Sequence, residues 1–376
     1  MKDDPRNIRQ AALCGQYIID GTPCDLSPAQ LLSECMDGEW PYAGECSGER
    51  IVDETMEPAP TPFSYDRNSL DKYLNMTLSA RGKRPVRTLY PEASTKQKLL
   101  ECLCGALWKK GHFTLDCIRL KAAWKWNGKP VGNVAAFYNS VRALAEYMFP
   151  TGVKISKPSF SMYESECDVE FEIDKVVLPE EADEEISSAP DISDARACPS
   201  GALDIRDSWL VYIPFDTCSY RLGGSLLAEK LGHDGGVGPD IYDPDYFMDC
   251  FELVRELVED GVVLAGMTVA DGGLATAMGR FCENCGAGMD ISGIKEALGE
   301  SDSVKVAFGE VPGVLIQIAD EEFDYLDSQM LLQDVAYYPL GHPRGNGKLT
   351  ICGVPRGGGL QGLLGALMGN AAEGED

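Results

Sequence analysis

Histidine and positive charge are what this 376-residue chain has least of: three His, and 33 Lys+Arg against 60 Asp+Glu, a formal net charge of −27. Three histidines leave little room for a His-rich metal site. A surface so acidic repels phosphate backbones and anionic headgroups, which excludes nucleic acid and the membrane surface as first-choice partners. No window approaches ~18 uninterrupted apolar residues, so no membrane-spanning helix is expected. The N-terminus, Met1-Lys2-Asp3-Asp4-Pro5-Arg6, is charged and lacks the apolar core of a secretory leader. The fourteen cysteines are scattered, apart from Cys102-x-Cys104 and Cys282-x-x-Cys285, and they read as mostly reduced thiols of a cytoplasmic protein. A hydrophobic fraction of 44% is enough for sizeable cores and excludes wholesale disorder. At roughly 100–200 residues per domain, the length suggests two or three domains, or one large two-lobed one.

Along the chain, residues 1–62 read as an irregular Pro- and Cys-rich lead-in. It holds one helix near Pro28–Met36, started by Ser27 with Pro28 at the first helical position. Pro58, Pro60 and Pro62 make a stiff connector. From 63 to 175 a first half becomes legible. Ser94-x-x-Gln97 is a capping-box signature, followed by Leu99, Leu100, Leu103 and Leu107 at helical spacing. Cys117–Trp126 is a short apolar stretch. Asn133 is the expected N-cap of a second helix, which Pro150 stops, and residues 153–173 alternate as half-buried strands do. Residues 176–195 form an acidic linker: Pro179–Asp194 holds seven carboxylates and no Lys or Arg. A second half spans 196–353. It has strand candidates at Trp209–Phe215, Val262–Val269, Val304–Phe308 and Gly313–Ile318, and a helix from Asp243-Pro244 ending at Gly261. Strands alternating with helices argue for an α/β or α+β architecture. Residues 354–376 are Gly-rich and read as a flexible tail.

Two glycine turns carry the strongest local chemistry. In Asp271-Gly272-Gly273-Leu274, paired glycines at a strand-to-helix corner let backbone approach a ligand, and the helix N-terminus offers N–H groups to an anion. Asp271 could hold a cation there. In Leu222-Gly223-Gly224-Ser225 the main-chain amides can likewise face a phosphate, with Ser225 as N-cap. A plain tight turn and a plain cap are the competing readings. Cys282-x-x-Cys285 has no second ligand pair for zinc and reads as structural. His112, His233 and His342 lie in loops, and nothing places them near a nucleophile. Glu101 is either a solvated carboxylate or a metal ligand in need of partners.

In order, these fragments resemble one family, the large phosphoribosylformylglycinamidine synthases, in their second aminoimidazole ribonucleotide synthetase-like module. Tyr90-Pro91-Glu92-Ala93-Ser94 through Glu101-Cys102-Leu103 resembles the family's helix after Asp-Pro-Ala-Ala-Ser. Arg119-Leu120-Lys121-Ala122-Ala123-Trp124 resembles Lys-Leu-Ser-Ala-Asn-Trp, and Ser156-Lys157-Pro158-Ser159-Phe160-Ser161-Met162 resembles Gly-Lys-Asp-Ser-Met-Ser-Met. Leu222-Gly223-Gly224-Ser225, Ala270-Asp271-Gly272-Gly273-Leu274, Asn284-Cys285-Gly286 and Phe308-Gly309-Glu310 follow colinearly, so the likeness spans about residues 88–352.

The resemblance implies a two-lobed synthetase-like α/β module with a truncated first lobe. It implies ATP or ADP with Mg as cofactor, with Lys157, Ser159, Gly223, Gly224, Ser225, Asp271, Gly272 and Gly273 on the nucleotide and Glu101 on the metal. The family's reaction activates the amide oxygen of formylglycinamide ribonucleotide with ATP, and ammonia from glutamine then displaces the phosphate. Within these residues nothing resembles the family's first synthetase-like module or its glutaminase, so no catalytic residue is expected. Partner chains supplying those modules, or a second copy of this chain, are implied instead. Gly105, Met267-Thr268 and Pro158 stand where the family has Asn, His-Asp and Asp. Those departures favour a non-catalytic or partner-dependent structural module, or a decayed homologue serving as a scaffold. An open sheet edge in the truncated lobe is expected to be covered by residues 1–62, a second copy or another protein.

Overall fold

The computed structural model describes residues 5–41, 49–59, 73, 84–111, 114–177, 195–233, 236–347 and 349–352. The 354–376 tail, His112 and most of the acidic linker lie outside them. The chain divides into two units. The first comprises Met1–Pro58, Lys83–Ala106 and Phe113–Ile192, and the second Ala59–Gly82, Leu107–His112 and Ser193–Asp376.

In the first unit the lead-in is more ordered than its composition suggests. It holds α1 (Pro5–Cys14), β1 (Gln16–Ile19), β2 (Thr22–Pro23), α2 (Pro28–Ser33) and β3 (Arg50–Asp53). Strand β1 pairs antiparallel with β2 and parallel with β3. Ser27 caps α2 as its sequence demands: its hydroxyl accepts from Gln30 N while Gln30 Oε1 accepts from Ser27 N at 2.8 Å. Then come α3 (Pro91–Leu107), β4 (Ile118–Asn127), α4 (Asn133–Thr151), β5 (Lys154–Ser161) and β6 (Tyr163–Val176). The sheet order is β5-β4-β6, with β5 parallel and β6 antiparallel to β4. Strand β4 alternates as a one-sided strand should, burying Ile118, Leu120, Ala122, Trp124 and Trp126. Trp124 stacks on Phe160 at 4.8 Å, and Trp126 meets Phe137 of α4 edge-on at 5.6 Å.

Two helix starts differ from expectation for one reason: a group distant in sequence takes the job. Helix α3 begins at Pro91, before Ser94. The Ser94 hydroxyl and Gln97 amide oxygen instead accept from the Arg87 guanidinium at 3.1 and 2.8 Å. Asn133 does not cap α4, because its side chain donates to Asn127 O at 2.7 Å. The cap is Asp53 at the end of β3, whose carboxylate accepts from Gly132 N at 2.8 Å and from Val134 N and Ala135 N at 3.0 Å. Helix α4 runs one residue past Pro150 and ends at Gly152. The lead-in also reaches the β5 edge. Ile155 N donates to Cys35 O at 2.7 Å, Asp37 N donates to Ile155 O at 2.8 Å, and Met36 bridges Ile155.

The second unit holds β7 (Ser208–Pro214), α5 (Leu226–Lys230), α6 (Pro244–Glu259), β8 (Val263–Val269), α7 (Gly273–Phe281), β9 (Ala287–Asp290), α8 (Ser292–Leu298), α9 (Ser303–Phe308), β10 (Gly313–Ala319), α10 (Phe323–Leu332), β11 (Tyr338–Gly341) and β12 (Leu349–Cys352). Its antiparallel sheet has the order β11-β7-β10-β8, and β12 pairs parallel with β9. The strands expected at 209–215, 262–269 and 313–318 are β7, β8 and β10. Val304–Phe308, expected as a strand, is helix α9: a short apolar run does not declare its period, and the Asp302 carboxylate accepts from Val304 N at 2.9 Å to start a turn. Asp243 caps α6 through Tyr246 N at 3.0 Å. On β10, fully buried Gln317 is satisfied by Leu203 N, Leu203 O and Ser208 Oγ at 2.7, 3.0 and 2.8 Å. Gln317→Leu is expected to cost about 1–3 kcal/mol, since the Leu203 N–H and C=O and the buried Ser208 hydroxyl each lose a partner, and urea unfolding would read it.

Candidate functional site

The glycine turns lie together in the second unit, joined by a residue that no local motif announces. Glu310, between α9 and β10, is 4% exposed. Its Oε1 accepts from Leu226 N at 2.7 Å and from Gly272 N at 2.9 Å. Leu226 opens α5 and Gly272 immediately precedes α7, so both donors belong to helix starts that lack intrahelical acceptors. The sequence signal was present in Phe308-Gly309-Glu310, but nothing in it tells where the carboxylate points.

The glycines are explained by the protein's own backbone. A Cβ on Gly223 would sit 2.5 Å from the carbonyl carbon and oxygen of Val237, and Gly223 N donates to Val237 O at 3.1 Å. A Cβ on Gly273 would sit 2.9 Å from Phe308 Cα and carbonyl carbon. Ser225 is the N-cap of α5: its hydroxyl accepts from Ala228 N at 3.2 Å and donates to Leu222 O at 2.8 Å. Gly224 is a left-handed residue of the same turn. Asp271 is half-buried at the corner between β8 and α7, and the Thr276 hydroxyl closes the turn on Gly272 O at 2.9 Å. Where the family has Asp, Thr268 takes the Trp108 indole N–H at 2.9 Å.

Lys157, Ser159 and Glu101 lie in the first unit. Lys157 and Ser159 are exposed on β5, and the Lys157 ammonium pairs with Asp174 of β6 at 2.7 Å. That hydrogen bond, with help from Ser156 and Lys121, holds the Asp174 carboxyl below the usual carboxylate range. A lowered folded-state pKa contributes stability above the unfolded value and loses it as pH falls through the folded one. Lys157→Met is therefore expected to shrink the acid-sensitive part of stability, read as unfolding midpoints from neutral to strongly acid pH. Glu101 is exposed on α3. Among the described residues no group of three or more His, Cys, Asp or Glu is placed to hold a metal ion. Among the described residues the fit to Mg-nucleotide is therefore poor: Lys157 is paired with Asp174, and main chain packs against Gly223 and Gly273.

The twelve cysteines whose side chains are described are unbridged. Cys282 and Cys285, at the end of α7, are buried and share a hydrogen bond, which pushes the Cys282 thiol up and Cys285 down. His342 Nδ1 lies 2.9 Å from Ser208 O and 3.9 Å from Asp320 Oδ1, with its ring against Trp209 and its side chain partly exposed. No helix of the described residues is long and apolar enough to cross a membrane.

No family model matches the chain. It is 28% identical over 277 residues, 70% of its length, to the probable phosphoribosylformylglycinamidine synthase, chloroplastic/mitochondrial, of Arabidopsis thaliana. It is 26% identical over 253 residues, 65% of its length, to the phosphoribosylformylglycinamidine synthase of Homo sapiens. It spans 18% of the length of each of these relatives. Among solved structures, T. maritima PurL complexed with FGAR aligns over 78% of this chain and 46% of its own, with a TM-score of 0.53 at 9% identity. The same protein complexed with AMPPCP aligns over 77% of this chain and 44% of its own, with a TM-score of 0.50 at 10% identity. At such identity the structural likeness speaks for the fold alone. By sequence this chain is similar to a part of the phosphoribosylformylglycinamidine synthases, at 26–28% identity, and it shares the mixed α/β fold seen in PurL.

Proposed function

We propose that the chain is a structural module of purine-synthase type that catalyses nothing alone and works with partner chains carrying the synthase and glutaminase functions. The observation that carries this reading is Glu310, whose carboxylate takes one main-chain donor from the second glycine turn, Gly272 N, and one from Leu226, the residue that follows the first. By the resemblance those turns would receive a nucleotide; here Gly272 N and Leu226 N face the protein's own carboxylate. The Lys157–Asp174 pair and the engagement of Thr268 by Trp108 point the same way. The second reading, a scaffold decayed from such a synthase with no tie to the pathway, shares this geometry and differs only in the partner. The expected compartment is the cytoplasm, a reading supported by the unbridged thiols, whereas the Arabidopsis relative is named chloroplastic/mitochondrial.

Calorimetric titration of the full chain with ATP and with ADP, each with magnesium, tests the proposal. The expected result is no saturable heat at millimolar nucleotide. Tight binding that disappears in Asp271→Asn would instead establish a working nucleotide site. Coupled assay of the chain alone with formylglycinamide ribonucleotide, glutamine and ATP is expected to give no product.

A further inference from the structure

We infer that Glu310 is an internal anion: the segment Phe308-Gly309-Glu310 fills the cradle formed by the two glycine turns, and its carboxylate stands where an oxyanion would be received. The inference rests on the module reading above and adds what occupies the site.

Three observations carry it. The first is charge. A carboxylate that is 4% exposed is costly to bury unless donors replace the lost water. Glu310 Oε1 has two, Leu226 N and Gly272 N, at charge-assisted distances of 2.7 and 2.9 Å. The second is the identity of the donors. Both are main-chain N–H groups at helix starts, which lack intrahelical acceptors, and at the nine-residue α7 the peptide dipoles also favour a negative charge. The third is space. Gly273 would place a Cβ 2.9 Å from Phe308 Cα and 3.0 Å from Gly309 O. Gly309 in turn would place one 2.5 Å from Lys305 O and 3.2 Å from the Tyr220 side chain. Backbone thus lies against the turn where a ligand would need room, and one carboxylate joins two turns far apart in sequence.

The consequence is specific. Removing the Glu310 side chain leaves two converging amides and a hole of carboxylate size, which a small oxyanion such as formate or phosphate can enter. Glu310→Gln keeps an acceptor oxygen and so should keep the two hydrogen bonds without the charge. The test is thermal unfolding of the full-length wild type, Glu310→Ala and Glu310→Gln in chloride, formate and phosphate at constant ionic strength. Expected is a melting temperature about 5–10 °C lower for Glu310→Ala, of which formate or phosphate restores about half, with a smaller loss and no anion-specific recovery for Glu310→Gln. Equal response of wild type and Glu310→Ala to the oxyanions would overturn the inference. Should Glu310→Ala not fold, hydrogen exchange in wild type and Glu310→Gln decides. The Leu226 and Gly272 amides are expected to stay protected in both proteins and to exchange faster by the same modest factor in the variant, whose neutral amide oxygen is the weaker acceptor; independent behaviour would sink the idea. Nucleotide binding by the wild type defeats the module reading, whereas a missing oxyanion rescue defeats this inference alone.

Discussion

Gly273→Ala is expected to destabilise the second unit by about 2–5 kcal/mol, the sum of two independent penalties. The residue has φ +68, a left-handed conformation that costs an L-residue roughly 1–2 kcal/mol. Its new methyl would also sit 2.9 Å from the Phe308 backbone, and forcing a close-packed main chain apart costs about 1–3 kcal/mol more. A flexible side chain could yield; the backbone entering β10, tied by Glu310 to both turns, cannot easily do so. The control is Gly293→Ala on α8, where a Cβ would meet nothing within 4 Å and Ala should stabilise the helix by about 0.5–1 kcal/mol. Urea denaturation should move the two midpoints in opposite directions. A Gly273→Ala midpoint equal to wild type would show that the turn is not packed as described.

Deleting residues 1–56 is expected to abolish cooperative folding of the first unit. The lead-in contributes buried Leu13, Tyr17, Leu32 and Cys35, and each large apolar side chain is worth about 1.5–3 kcal/mol. Tyr17 meets Tyr138 of α4 at 4.9 Å. Asp37 pairs with Arg119 and Lys175 at 3.1 and 2.9 Å, and although burial opposes it, these cations hold its carboxyl below the usual range. Deletion would also strip Cys35 and Asp37 from the β5 edge, leaving it open to other chains. The graded version is Asp53→Ala, which removes one carboxylate from two α4 amides and that of Gly132 just before them, and should cost about 1–2 kcal/mol. Circular dichroism and light scattering of the truncated chain would show lost helix and association. A monomeric truncated chain with native helix content would show that the lead-in is dispensable.

Much of the fold was legible because its signals are local. The Ser27-Pro28 start, the Asp243 cap, the alternation along β4 and the apolar runs of β7, β8 and β10 each depend on neighbours within a turn or strand. The two glycine turns were legible as corners for the same reason. Where local signals competed with distant groups, the distant group won. Ser94 and Gln97 serve Arg87 instead of a cap, and Asn133 yields the start of α4 to Asp53, eighty residues earlier in the chain.

The candidate site divides along the same line. Residue order alone determined the family likeness and which turns could bend toward a ligand, because glycine and serine carry those properties wherever they stand. Only the tertiary structure decided what fills the turns. The path of Glu310 into them, and of Val237 and Phe308 against Gly223 and Gly273, is set by the packing of whole strands and helices. A buried carboxylate must find donors, and the donors that Glu310 finds lie 84 and 38 residues away. The scarcity of positive charge acquires its structural counterpart there: the anion in the cradle is the protein's own, and it is held by main-chain amides.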